Sequence, residues 1–461
     1  MHGEGRGMKT NNTLLDVLTR HVREGRGDRP AVIDSRGTTT YAELARAVEE
    51  RARGFRADGV KPGTPIGIVM TSRVESIVEF AAANAVHAAI LVLQERMAAG
   101  ERTAALADFD AAMLIGPDGV ERLKPATRSC DDPTFAMTSS GTTGRPKVIA
   151  REWYGTLQNS EIFAQTFGIE AGDIVLTTSP LGHSYAIEAG TLAVFSAGAC
   201  QLIPEGPLSP AQARVLIQQH RPSILQTVPI VLDWWGRGGI ARAAAWRKCV
   251  SAGDTLPAPA AAWWRAEGVP VFDHYGNSEL GQLTLDPEGG SLTGVVGQPL
   301  PEVQLRAGDG GPGPVVARFP GLFPVRFEAG QAVPLADAEG WVTTGDLGVL
   351  ERGGLRLTGR SDMVINIGGN KVSPVEVEEV IRSLPGVQDC AVVGRPGPDG
   401  KSQVWAFVEA GVDNFDGAAL RRRAGDLLTS FKVPAVIRRV DALPRTGSGK
   451  LRRSLLIEDE S

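Results

Sequence analysis

Residues Thr138 to Lys147 read T-S-S-G-T-T-G-R-P-K. Glycines let backbone N–H groups approach an anion, hydroxyls donate to phosphate oxygens, and a lysine neutralises charge. The stretch is therefore a grip for a polyphosphate, built from Thr138, Ser139, Ser140, Gly141, Thr142, Thr143, Gly144 and Lys147. Apolar Phe135-Ala136-Met137 before it and Val148-Ile149-Ala150 after it read as strands, so the loop is expected to join two strands. A Walker-type loop needs G-x-x-x-x-G-K-[ST] opening a helix. Here the lysine lies between Pro146 and Val148, which excludes that class.

Short apolar runs recur on both sides of the grip, at Ile66–Met70, Ala89–Leu93, Ala112–Ile115, Ile174–Leu176, Ile224–Val228 and Val271-Phe272. Ala-rich stretches that suit helices separate most of them. Such alternation predicts an α/β protein whose large N-terminal domain holds two parallel-type sheets covered on both faces. From about Gln304 the texture turns to β-rich segments broken by Gly and Pro, which predicts a small barrel-like subdomain over about 300–358. Gly308 to Gly313 satisfies G-x-G-x-x-G, but Pro312 sits inside it and no strand-turn-helix surrounds it, so it reads as a surface loop.

A boundary falls near Arg360-Ser361-Asp362, dividing 1–360 from 361–461. Beyond it, Ser373-Pro374-Val375-Glu376 has the form of a capping box with proline at the first helical position. Val377, Val380, Ile381 and Leu384 follow as one apolar stripe. Strand-like Ala391-Val392-Val393, Val404–Val408 and Val436-Ile437, with an Arg-rich helix around Leu420–Leu428, complete a small α+β unit of about a hundred residues.

The 461 residues carry a formal charge of −5, which gives no electrostatic case for nucleic acid. Cys130, Cys200, Cys249 and Cys390 are far apart and form no C-x-x-C pair, which disfavours a zinc site and a disulfide framework and fits reduced cytosolic thiols. Met1 to Lys9 is polar and Gly-rich, unlike a signal peptide or membrane anchor, and Met8 is an alternative start. These features point to a cytoplasmic protein with no membrane partner.

Four further stretches follow the grip in order: Tyr275-Gly276-Asn277-Ser278-Glu279, Thr344-Gly345-Asp346 with Gly359-Arg360 behind it, Gly368-Gly369-Asn370-Lys371, and Pro444-Arg445-Thr446-Gly447-Ser448-Gly449-Lys450. Together with the loop they resemble the adenylate-forming ligase superfamily of acyl-CoA synthetases, firefly luciferase and peptide-synthetase adenylation domains. The resemblance covers nearly the whole chain. It implies that Gly253, Asp254, Asp273, His274, Tyr275 and Gly276 surround the nucleotide, that Ser278 contacts the α-phosphate, and that Glu279 ligates magnesium, with Thr142 a second candidate. A hard cation on phosphates wants carboxylate oxygen, in keeping with that role. Asp346 would accept both ribose hydroxyls, as a carboxylate can, and Arg360 would also reach the ribose. Asp362 falls at the superfamily's hinge, about which the C-terminal domain swings as a mobile lid. Gly368 and Gly369 match the thiol tunnel. Lys450 matches the catalytic lysine, a cation for charge developing between carboxylate and α-phosphate. Ser278 replaces the usual Thr, and the chain is short around Leu93–Arg128 and between Glu279 and Thr344.

Pro180-Leu181-Gly182-His183-Ser184-Tyr185 occupies the segment where amino-acid-activating relatives carry an aspartate for the substrate ammonium. His183 offers no anion there, which argues against an amino acid. Acyl and aryl acid activators commonly place an aromatic or His near this point, beside the pantetheine tunnel. Tyr185, Glu188, Thr227, Trp234, Trp235 and Gly276 are candidates to line the acid pocket, although tryptophans at adjacent positions are as often simply core. Glu188 in a carboxylate site needs protonation or a positive or donor group on the substrate, such as an amine or phenol.

The expected activity is ATP- and Mg2+-dependent conversion of a small carboxylic acid, aromatic or unsaturated with a polar substituent, to an acyl-adenylate and pyrophosphate. Transfer to the thiol of CoA or a carrier-protein phosphopantetheine would follow. Alternatives are a non-thiol acceptor, activation of nitrite for N–N bond formation, and a non-catalytic nucleotide-binding module. The last sits badly with Lys147, Glu279, Asp346, Arg360 and Lys450 occurring together. Monomer and homodimer both remain open.

Overall fold

A computed structural model describes residues 12–123, 134–139, 147–254, 256–286, 294–308, 310–367, 370–397, 402–411, 415–446 and 451–458. Packing divides the chain into two units, Met1–Leu305 with Ala317–Val342, and Arg306–Val316 with Thr343–Ser461. The boundary expected from the sequence at Arg360 falls inside the second of these units.

The alternating strands and helices of the first unit build two sheets. In the nine-stranded sheet, Val271–Asn277, Lys248–Ala252, Ile224–Thr227, Ile174–Thr177, Cys200–Leu202 and Pro30–Asp34 are parallel neighbours in that order. Antiparallel Gly281–Leu285 and Gln298–Pro299 extend one edge and Gly37–Thr40 the other. From Ile174–Thr177 the chain goes first to Cys200–Leu202 on one side and then to Ile224–Thr227 on the other. At such a switch the loops diverge and open a crevice beyond the carboxyl ends, where open α/β sheets bind ligands.

The eight-stranded sheet has a parallel centre of Met113–Gly116, Pro65–Met70, Ala89–Gln94 and Thr134–Ser139. Its inner strands are continuous apolar runs because helices cover both faces; Pro65–Met70 is buried at every position. Lys147–Glu152 returns antiparallel from Thr134–Ser139, so the grip does join two strands. Several helices start where the sequence supplies caps: Thr40 with Glu43, and Ser209 with Gln212, form capping boxes.

One face of the nine-stranded sheet packs Leu176, Leu225, Cys249 and Val271 on Leu232, Trp235, Ala260 and Trp264 of the helices Pro229–Arg237 and Ala258–Arg265. For the tandem tryptophans this decides between pocket and core at Trp235, which is core. Leu232, Trp235 and Gly236 turn one side of the first helix inward, so Ile230 and Trp234, four residues apart, face outward and Trp234 is 46% exposed. Trp235 is core, its Nε1 donating to Leu208 O at 3.0 Å.

The segment expected as a barrel instead divides between two sheets. Gln304–Arg306, Gly313–Arg318, Val342–Glu351 and Gly354–Arg360 form a four-stranded sheet, mostly in the second unit, whereas Val325–Glu328 and Gln331–Pro334 extend the eight-stranded sheet. The rest of the second unit is the expected α+β fold. Ser402–Ala410 lies between antiparallel Val387–Pro396 and parallel Val436–Val440, and Val377, Ile381, Leu420 and Ala424 of two helices pack on Val392, Val404 and Ala406. Pro374–Ser383 is helical, but its capping box does not form: Ser373 gives its hydroxyl to Thr358 O, and Pro374 already removes one orphan donor at the helix start. Cys200, Cys249 and Cys390 are free and buried. Among the described residues no helix is long and apolar enough to cross a membrane.

Because only one of the adjacent tryptophans is packed, Trp235→Ala should cost about 3–5 kcal/mol while Trp234→Ala changes stability by less than about 0.5 kcal/mol. Urea unfolding of both variants checks the orientation of this helix.

Candidate active site

The carboxyl edges of the two sheets of the first unit meet at a glycine. A Cβ on Gly182 would come within 2.7 Å of Gln94 Cα, so only glycine lets the loop after Ile174–Thr177 reach the end of Ala89–Gln94. Next to it Gln94 Nε2 donates to His183 Nδ1 at 3.4 Å. Thr227 ends Ile224–Thr227, with its hydroxyl 2.8 Å from that of Thr178. Tyr185 donates to Val250 O at 3.3 Å, and Gln226 Nε2 holds the Tyr185 carbonyl at 3.0 Å. His183, Tyr185 and Thr227 thus gather at the switch point.

The phosphate grip rises from the same side of the eight-stranded sheet. Ser139 and Lys147 are cross-strand partners at its base, with Thr138 opposite Val148. Ser140, Gly141, Thr142, Thr143 and Gly144 lie outside the described residues. Gly253 adopts φ +94° directly after Lys248–Ala252, and it and Asp254 are exposed.

Several buried polar atoms near these strand ends have no protein partner among the described residues: Thr138 Oγ1, Ser251 Oγ, Asn277 Nδ2 and both ring nitrogens of His274. Unpartnered buried groups are rare in native folds. Hydroxyl and amide donors at the ends of Thr134–Ser139, Lys248–Ala252 and Val271–Asn277 fit a ligand rich in oxygen and aromatic nitrogen, as a nucleotide is. The His274 ring stacks on Tyr185 (centroids 5.7 Å apart) and meets the Phe163 edge at 4.9 Å. Burial pushes its pKa down to about 3, so it is neutral. Burial pushes the neighbouring Asp273 carboxyl up to about 8, opposed by the His274 N–H that donates to it at 3.0 Å.

Tyr275, largely buried, and Gly276 lead into a turn of Ser278, Glu279 and Leu280, which Gly281 ends at φ +79°. Among the described residues no three His, Cys, Asp or Glu side chains gather as a metal cage. Magnesium bound with a triphosphate takes only one or two protein carboxylates, and Glu279, partly exposed on the turn, can supply one.

Glu188 requires a correction. Its charge does not await a substrate donor, because Arg151 forms an ion pair with it and both side chains are almost wholly buried. Burial raises the carboxyl pKa and the guanidinium holds back that rise. Sequence reading missed this partner, although an arginine ending the apolar run Val148-Ile149-Ala150 is a signal, since a charge in such a strand needs a counter-charge. Gln94, Ser251 and Asn277 were also missed; as single polar residues at strand ends they carry no pattern.

In the second unit, Asp346 and Arg360 are cross-strand partners. Arg360 Nη1 donates to Asp346 Oδ1 at 3.1 Å, and its Nε and Nη2 donate to the two oxygens of Asp362 at 2.9 and 3.2 Å. The sequence-predicted ribose pair and hinge aspartate are therefore one cluster. Lys450, Gly368 and Gly369 lie outside the described residues, and described residues flank them. Ile365–Ile367 pairs with Asn370–Val372. Arg445 bridges Leu451, and Arg453 Nη2 donates to buried Glu378 at 2.7 and 2.9 Å.

The family described as AMP-binding enzyme matches residues 18–129 and 117–322, and the AMP-binding enzyme C-terminal domain matches residues 376–450. The chain is 30% identical to 2-succinylbenzoate–CoA ligase of Geobacillus kaustophilus (strain HTA426), covering 92% of this chain and 94% of that protein. It is 25% identical to 3-hydroxybenzoate–CoA ligase of Aromatoleum sp. (strain CIB), covering 97% and 96%. The fold is that of an anthranilate CoA ligase solved with anthranoyl-AMP, with TM-score 0.82, 21% identity and 97% of each chain covered.

His274 and Asp273 have opposite effects on stability. His274, with its folded pKa lowered to about 3, contributes stability present above its unfolded pKa near 6.5 and lost as pH falls toward about 3. Asp273, with its folded pKa raised from 3.8 to about 8, favours the fold below pH 3.8 and loses that contribution as pH rises toward about 8. Of these two slopes only that of Asp273 acts between about pH 6.5 and 8, so Asp273→Asn should flatten the fall in unfolding free energy across that window, read by denaturant titration at each pH.

Proposed function

We propose, from the premise that the chain belongs to the AMP-binding enzyme family, that it activates an aromatic carboxylic acid bearing a polar substituent and passes the acyl group to the thiol of CoA or a carrier-protein phosphopantetheine. It is an AMP-forming ligase, so the open matters are the acid, the acceptor and the residue roles. The observation that carries the proposal is the convergence of His183, Tyr185 and Thr227 on the switch point of a parallel sheet, at the edge from which the phosphate grip also rises. The names of the relatives, 2-succinylbenzoate and 3-hydroxybenzoate ligases, support the acid class.

In this reading Thr138 to Gly144 and Lys147 cradle the β- and γ-phosphates, and Ser278 donates to the α-phosphate. Gly253, Asp254, Asp273, His274, Tyr275 and Gly276 surround the adenine, and Asp346 and Arg360 take the ribose hydroxyls. Glu279, with Thr142, would hold magnesium, which supplies charge neutralisation on the phosphates. A substrate carboxylate oxygen attacks the α-phosphorus, the bond to the β-phosphate oxygen breaks, and pyrophosphate leaves. Lys450 stabilises the charge that develops between them. The thiolate then attacks the acyl carbon of the adenylate and AMP leaves. His183 stands beside the acid at this step, and Gly368 and Gly369 line the thiol's path once residues 361–461 have swung about Asp362. The protein works in the cytoplasm, where ATP and CoA are available.

Acid-dependent exchange of labelled pyrophosphate into ATP tests this directly. Hydroxy- and aminobenzoates should support exchange and plain alkanoates should not; turnover with alkanoates alone would overturn the acid class. Lys450→Ala should slow exchange by about a hundredfold or more, the loss of roughly 3 kcal/mol of transition-state stabilisation. Thiolysis of preformed adenylate should change far less, and equal loss in both half-reactions would refute that role.

A further inference from the structure

The hairpin that presents Ser278 and Glu279 stands on a buried polar node. Its strands Val271–Asn277 and Gly281–Leu285 pair with a bulge after Tyr275, and Asn277 faces Gly281 across a three-residue turn. Such turns end with one residue in the left-handed region, which Gly281 fills at φ +79°. Asn277 Oδ1 accepts from Leu280 N at 2.8 Å inside the turn, and Leu280 is fully buried. Ser278 and Glu279 are therefore displayed at the tip of a loop held from within.

Below the tip the support comes from three other elements. Asn159, on the helix Trp153–Phe167, accepts from Gln282 N at 2.8 Å and donates to Gln282 O at 2.9 Å, so one side chain takes the place of a neighbouring strand. Glu188 lies on a π-helical segment, Ala186–Leu192, directly after Tyr185. Its Oε2 receives Gln282 Nε2 at 3.5 Å and its Oε1 pairs with Arg151. Arg151 belongs to Lys147–Glu152, the strand that leaves the phosphate grip. Asn159, Glu188 and Arg151 converge on Gly281, whose added Cβ would meet Asn159 Oδ1 at 2.6 Å, Glu188 Oε2 at 2.7 Å and Arg151 Nη1 at 2.8 Å. All three are buried, far from solvent that could relax a misfit.

We propose that Arg151, Glu188 and Asn159 are positioning residues that fix the Ser278–Glu279 turn relative to the strand carrying Lys147, and thereby set the affinity for magnesium-bound ATP. The inference rests on the proposed role of Glu279. π-Helical segments in α-helical surroundings recur at functional sites because they re-aim a side chain. Here the segment carries Glu188 onto the hairpin base. A carboxylate that meets a metal ion depends on outer partners for its placement, and their loss typically weakens metal binding by about tenfold to a hundredfold.

The test compares the unaltered protein with Asn159→Ala and, through a different residue, Gly281→Ala. Calorimetry measures ATP affinity with and without Mg2+, and amide hydrogen exchange follows the peptides over 276–285. The expected result is a fall of about tenfold in the affinity gained from Mg2+, Mg2+-free ATP binding within about twofold, and faster exchange confined to the hairpin. An unchanged Mg2+-dependent gain in either folded variant would overturn the proposal. So would loss of protection spread over the whole first unit with equal loss of Mg2+-free binding, which marks a merely structural role. Should Asn159→Ala not fold, the same readouts on Gly281→Ala decide. Failure of the functional reading is distinguishable, because the unaltered protein would then bind no ATP while hydrogen exchange still reports whether the node holds the hairpin.

Discussion

Two parallel sheets must end at the same place, and a glycine makes this possible. Where Gly182 packs on the Gln94 backbone, the loop after Ile174–Thr177 reaches the strand end of the other sheet without the separation a side chain would impose. The pocket candidates of the first unit gather around that meeting. The nine-stranded sheet changes winding direction there, so its loops part and leave His183, Tyr185 and Thr227 around a crevice. From the carboxyl side of the eight-stranded sheet comes the Ser139–Lys147 pair at the root of the phosphate grip.

The second constraint is electrostatic. A guanidinium and a carboxylate buried together gain strong attraction but give up solvation, so the pair adds little net stability, while removing one partner typically costs about 3–5 kcal/mol. Arg151 and Glu188 are such a pair, and their position explains why a costly arrangement is useful: they join the strand after the grip to the segment after Tyr185. A buried charge pair has one good geometry, which an apolar contact lacks. In the second unit, Arg360 does the same in a more exposed setting, holding the ribose-binding candidate Asp346 and the hinge candidate Asp362 through one side chain.

Much of this was legible in the amino-acid order because it is carried by local patterns. Continuous apolar runs such as Ile66–Met70 announce doubly covered parallel strands, and the hydroxyl-glycine-lysine run announces an anion. What could not be read depends on pairing between distant segments. Glu188 looked like a pocket residue because of the segment it lies in; its partner Arg151 is far away in sequence, on a strand of the eight-stranded sheet. Trp234 and Trp235 differ only by a hundred degrees around a helix, so which one faces the core depends on what the helix packs against. Ser373 followed the capping-box spelling, yet a carbonyl from another strand claimed its hydroxyl. The barrel expectation failed for a similar reason, since Val325–Glu328 found its partner in Lys147–Glu152 rather than among its sequence neighbours.

The central claim is that the meeting of the two carboxyl edges is where ATP and acid react. A crystal structure with the acyl-adenylate trapped in place tests it most directly. The account predicts the adenylate phosphate beside Ser278 and the acyl ring against His183, Tyr185 and Gly276. An adenylate bound away from the ends of Ile174–Thr177, Ile224–Thr227 and Val271–Asn277 would contradict it.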